Sequence, residues 1–155
     1  MNRLRRSSRF GLPEAFLALF LLALPVQIVA GHIRDHRLES RAQELAEDLG
    51  SIEDAVRAYR SEHQDWPDAA PAGIPPPSMA GLLPEGFSFE RDGYILRWEH
   101  WPLPDGLPGR PEAEALVGVS VISDGEGVGE GAAVRTPGAV GYRFGEVYTI
   151  FLEEL

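Results

Sequence analysis

The chain has 155 residues, 44% hydrophobic and 25% charged, with a formal net charge of −10, a size that allows one small domain beside any apolar anchor. It contains no Cys, which excludes disulfides, thiolate zinc sites and Cys nucleophiles. From Gly31 onward ten Arg face 23 acids, a formal −13, so this part lacks the basic footprint that nucleic-acid phosphates demand.

Residues 1–11 form a basic leader carrying Arg3, Arg5, Arg6 and Arg9. Residues 12–31 follow as the expected transmembrane helix. Within them LPEAFLALFLLALPVQIVA, Leu12 to Ala30, is 19 residues in which only Glu14 and Gln27 are strongly polar. At ~1.5 Å per residue it would extend roughly 28 Å, one bilayer crossing. The leader arginines place the N-terminus in the cytoplasm and the bulk of the chain outside it, in a single-pass protein of the inner (cytoplasmic) membrane.

Residues 32–66 are expected to form an amphipathic extracytoplasmic helix. Leu38, Leu45, Ile52 and Tyr59 repeat every seven residues, with Ala42, Leu49 and Val56 four places after the first three. Charged residues from Arg37 to Arg60, Asp48 among them, are read as mostly occupying the opposite faces. Trp66-Pro67 stops the helix. Such a stripe packs either on the chain's own sheet or in a short coiled coil.

Residues 67–84, with DAAPAGIPPP from Asp68 to Pro77, are a Pro-rich connection. Residues 85–155 read as an antiparallel β-sheet region with four strands, Phe87 to Glu90, Tyr94 to Trp101, Leu116 to Ser123 and Tyr142 to Glu153, and a hairpin turn at Arg91-Asp92-Gly93. Trp66, Trp98 and Trp101, with Phe87, Phe89 and Tyr94, are expected to fill the space between helix and sheet. The fold class is therefore α+β, a long N-terminal helix with a transmembrane half and an amphipathic half packed on a small antiparallel sheet.

This layout resembles the type IV pilins and type II secretion pseudopilins. Phe10-Gly11-Leu12-Pro13-Glu14 is similar to the F-T-L-I-E part of the prepilin motif at Phe10, Leu12 and Glu14. Ala55, Tyr59, Trp66 and Pro67 roughly match the family's A-x-x-Y helix end and Tyr-Pro. The resemblance covers roughly residues 1 to 67.

It implies a pilin-like fold, no enzymatic activity, and a structural subunit of a type II secretion or type IV pilus-type assembly. Its partners would be other pilin-like subunits and an inner-membrane platform, in a homo-oligomer or filament. Phe10 and Glu14 would be the assembly residues, with processing at Arg9, Phe10, Gly11 and Leu12. Arg9 stands where the family has Gly before the cut, and Pro13 replaces an apolar residue, so either the leader is retained or processing is altered. The alternative is a non-polymerising, single-pass, signal-anchored protein with a small extracytoplasmic binding or scaffolding domain.

No nucleophile motif, phosphate-binding glycine loop or paired carboxylate set suited to acid–base work is present in the sequence. Asp124, Glu126 and Glu130 in SDGEGVGEG are hard oxygen donors of the type calcium takes, but their spacing is sparser than a calcium loop's. His32, His36, His63 and His100 are too scattered for a metal set. No cofactor is expected, with calcium the weak exception.

Overall fold

The computed structural model describes residues 12–111, 113–123 and 127–152, and for 12–34 the backbone alone. The chain divides into two units, Met1–Arg37 and Leu38–Leu155. Helix α1, Leu12–His63, supplies all the described structure of the first and the opening element of the second.

Within the second unit the heptad stripe folds as its spacing predicts. Ala42, Leu45, Leu49, Ile52, Ala55 and Val56 are buried, while Leu38 is half-buried at the margin of the core. The helix stops at His63, earlier than Trp66, because Gln64 takes the left-handed conformation with φ 59° and returns its N–H to the Arg60 carbonyl at 2.8 Å. This is a left-handed cap on a residue other than Gly.

The stripe packs on a five-stranded antiparallel sheet ordered β1-β2-β3-β5-β4, built from β1 Glu90–Arg91, β2 Tyr94–Pro102, β3 Ala115–Ser123, β4 Val140–Phe144 and β5 Val147–Phe151. Alternation sorts the side chains. Tyr94, Leu96 and Trp98 of β2, Val117, Val119 and Val121 of β3, and Ile150 of β5 join the helix residues in one buried core. Trp98 also donates its indole N–H to the Pro67 carbonyl at 3.0 Å. The Pro-rich segment runs beside β2, with the Gly73 N–H on the Leu96 carbonyl at 2.8 Å and Met79 fully buried.

A second helix, α2, Val128–Arg135, lies between β3 and β4. Its sequence VGEGAAVR is a poor helix former, but both glycines are needed for close packing. A Cβ on Gly129 would lie 2.6 Å from the Tyr148 Cβ, and one on Gly131 would lie 2.8 Å from the Ala42 Cβ.

Three expectations are corrected. The strand expected over Phe87 to Glu90 is only the two-residue β1, Glu90–Arg91. The run expected as one strand from Tyr142 to Glu153 is a hairpin, turned at Gly145-Glu146 with Gly145 at φ 62°. The expected transmembrane half of the long helix is also overturned, since among the described residues no helix is long and apolar enough to cross a membrane. Glu14 and Gln27 leave an unbroken apolar run of only 12 residues, 15–26, about 18 Å of helix against a hydrocarbon core of ~30 Å. From Arg34 onward charged residues recur along the helix. Among the described residues the fold is α+β with two helices and a five-stranded antiparallel sheet, without the expected transmembrane half.

Leu49, fully buried where the stripe meets the sheet, is a direct probe of this packing. Leu49→Ala should lower unfolding free energy by about 2–5 kcal/mol through lost burial and the cavity left behind, read as a drop in urea midpoint at constant m-value.

Candidate functional site

The assembly and processing residues lie at the start of the chain. Arg9, Phe10 and Gly11 are outside the described residues. Leu12 opens α1, and Pro13 and Glu14 follow in its first turn.

Of the calcium candidates, Asp124 and Glu126 lie outside the described residues. Glu130 is in the first turn of α2, where its Oε1 accepts a hydrogen bond from Arg143 Nε at 2.6 Å. Its Oε2 is buried and makes no hydrogen bond among the described residues. Among the described residues no group of three or more His, Asp or Glu is placed to hold a metal ion. His36 is exposed, His63 stacks on Tyr59 with ring centroids 4.2 Å apart, and His100 is half-buried on β2.

A polar seam joins helix to sheet instead. Asp48 is 5% exposed and sits on the stripe, between Leu45 and Ile52. Burying a lone carboxylate is costly unless it is paired and hydrogen-bonded. Arg91, on β1, supplies two bonds, Nε to Oδ2 at 3.0 Å and Nη2 to Oδ1 at 2.7 Å, and the Tyr94 hydroxyl donates to Oδ2 at 2.9 Å. The hydrogen bond to Asp48 raises the Arg91 pKa despite partial desolvation. Burial, then the bond to Asp48, pushes the Tyr94 phenol far above its ordinary value.

Asp48 is the residue that reading the sequence misses, because a charge on a helix is ordinarily assigned to the solvent-facing side. Its spacing of three from Leu45 and four from Ile52 is the signal that places it on the buried face.

The sheet face opposite the helix holds a second network. Cross-strand pairs Arg97↔Ser120, Ser120↔Thr149 and Tyr142↔Thr149 form one row across β2, β3, β5 and β4. Ser120 Oγ, although buried, donates to Glu99 Oε1 at 3.0 Å and shares a hydrogen bond with Thr149 Oγ1 at 2.9 Å, and Arg97 pairs with the same Glu99. Beside it Trp101 packs on Phe151 with centroids 6.0 Å apart. Of the expected aromatic filling, Trp98, Phe89 and Tyr94 are in the core and Trp66 and Phe87 line it, whereas Trp101 lies on this outer face.

Comparison of the chain with protein-family models, curated proteins and solved structures gave no match. The site therefore has to be read from its own geometry. The described charged side chains in the seam and the outer-face network are engaged with one another. The most exposed large apolar side chains of the sheet, Val140, Tyr142 and Phe144, are gathered on β4. The arrangement holds a helix on a sheet and presents a surface.

The raised Tyr94 pKa gives a signed prediction. A folded-state pKa above the unfolded value contributes stability that is complete below about pH 10 and is lost as pH rises through the folded value. Unfolding free energy should fall above about pH 10. Tyr94→Phe should be less stable at neutral pH by roughly 1.5–3 kcal/mol, the range for a hydrogen bond to a charged group, and should show a flatter alkaline decline in urea titrations.

Proposed function

We propose that the protein is a pilin-like or pseudopilin-like structural subunit of a type II secretion or type IV pilus-type membrane assembly. The observation that carries this reading is the continuity of α1, from the apolar residues 12–30 into a stripe that the chain's own antiparallel sheet covers. The likeness of residues 10–14 and 55–67 to prepilin and pseudopilin sequence adds to it. The reading assigns the chain no catalytic activity and no cofactor.

In this reading the protein works at the inner membrane. Its partners are other pilin-like subunits and an inner-membrane platform. An apolar run too short to span as an isolated helix is suited to packing among the corresponding helices of neighbouring subunits. Glu14 is then a register-setting charge, since a carboxylate in an apolar setting requires a partner.

The exposed Val140, Tyr142 and Phe144 on β4 favour a second reading, a non-polymerising anchored protein whose outer domain binds a partner. Glu14→Ala separates the two. Under the subunit reading the variant accumulates normally in membranes but is lost from sheared fibres by at least about tenfold, the effect of removing about 1.4 kcal/mol of assembly free energy. Equal recovery of variant and wild type in fibres, or absence of the wild type from them, favours the second reading. Intact mass of the recovered protein tells whether the leader is removed near Arg9 or Gly11.

A further inference from the structure

The outer strand β4 has a backbone that can be read residue by residue. The two-residue turn Gly145-Glu146, with positive φ at Gly145, makes Phe144 and Val147 the hydrogen-bonded pair that closes the β4–β5 hairpin. Alternation along an antiparallel pair then directs the N–H and C=O of Val140, Tyr142 and Phe144 toward β5. Those of Gly141 and Arg143 are directed away from it. Among the described residues the order β1-β2-β3-β5-β4 ends there, whereas at the other end β2 is flanked by the Pro-rich segment through its Leu96 and Trp98 carbonyls.

The side chains of β4 divide by face. Val140, Tyr142 and Phe144 lie on the face away from the helix and are 52%, 64% and 78% exposed, too much apolar surface in one short row to be incidental. Arg143, on the helix side, is held by Glu130. Gly141 has no side chain, and Tyr148 lies against it, so close that a Cβ would fall 2.2 Å from the Tyr148 hydroxyl.

We infer that β4 pairs antiparallel with β4 of a second copy of this chain, centred on Tyr142, so that two sheets join into one. In this register Gly141 of each copy faces Arg143 of the other, and these two pairs exchange the outward-directed backbone hydrogen bonds. Arg143 faces a residue without a side chain of its own and can keep Glu130. On the opposite face Tyr142 meets Tyr142, and Val140 meets Phe144, in the non-hydrogen-bonded pairs where side chains approach most closely.

Charge also favours a second copy at this edge. The hairpin from Val140 to Phe151 carries only Arg143 and Glu146 and is formally neutral, in a chain of net charge −10. Two copies meeting here avoid the repulsion of their acidic surfaces. A pair of five-residue strands is smaller than the ~1,000 Å² of a stable interface, so the contact is transient and is read by covalent trapping, which accumulates from repeated encounters. It adds a lateral contact to the proposed subunit role without depending on that role.

Because the chain has no Cys, single cysteines report the register in purified full-length protein under mild oxidation. Tyr142→Cys should give about tenfold more disulfide-linked dimer than Phe144→Cys, because the dyad brings the two Cα atoms at position 142 to about 4.5 Å, within disulfide range. The two Cα atoms at position 144 stay several residues apart along the strands. A mixture of Val140→Cys and Phe144→Cys chains should form the mixed dimer in preference to either homodimer. All three positions are exposed, so each variant keeps the fold. Equal cross-linking at 142 and 144 overturns the register, and a Tyr142→Cys chain that stays monomeric overturns self-pairing in favour of a different occupant for the edge. Neither outcome bears on fibre incorporation through Glu14.

Discussion

A carboxylate buried on an otherwise apolar helix stripe is the constraint on which the rest of the domain depends. Asp48 lies among Leu45, Leu49 and Ile52, and its charge is acceptable only where Arg91 and Tyr94 reach it. Those two residues flank the Asp92-Gly93 turn of the β1–β2 hairpin. Apolar contacts alone would tolerate sliding of α1 by part of a turn, because Leu, Ile, Val and Ala substitute for one another at modest cost. The seam does not, since a shift of one residue along the helix carries Asp48 away from both partners.

Once α1 is held in that register, other features follow. Trp98 fits beneath the helix with its indole N–H on Pro67, which draws the Pro-rich segment along β2. Gly131 meets Ala42 and lets α2 close one side of the domain. The stripe is used up inside the chain, so association with other molecules has to come from elsewhere. Among the described residues the row Val140, Tyr142 and Phe144 on β4 is exposed, outside this packing.

Much of this was legible in residue spacing. The seven-residue recurrence from Leu38 located the helix stripe, and the uninterrupted ALVGVSVIS located the central strand β3, which is buried on both faces. The Arg91-Asp92-Gly93 turn was readable from its composition. Asp48 was not, because a charged residue is ordinarily assigned to solvent and its partners lie 43 and 46 residues further along. Helix α2 was hidden by two glycines whose purpose is tertiary contact, and the β4–β5 turn by a single glycine inside an alternating run. The total apolar content of 12–30 suggests a membrane span only when the interruptions at Glu14 and Gln27 are left out of account. Of the candidate site, Glu14 could be placed only at a helix start, and Glu130 proved to be engaged with Arg143.

The claim that the Asp48–Arg91 pair sets helix on sheet is tested most directly by a double-mutant cycle in urea denaturation, using Asp48→Asn, Arg91→Met and the double variant. Buried, hydrogen-bonded charges that hold one register should show a coupling of about 1.5–3 kcal/mol, with the double variant more stable than the two single losses summed. Additivity to within about 0.5 kcal/mol would contradict the account and reduce the seam to one contact among many.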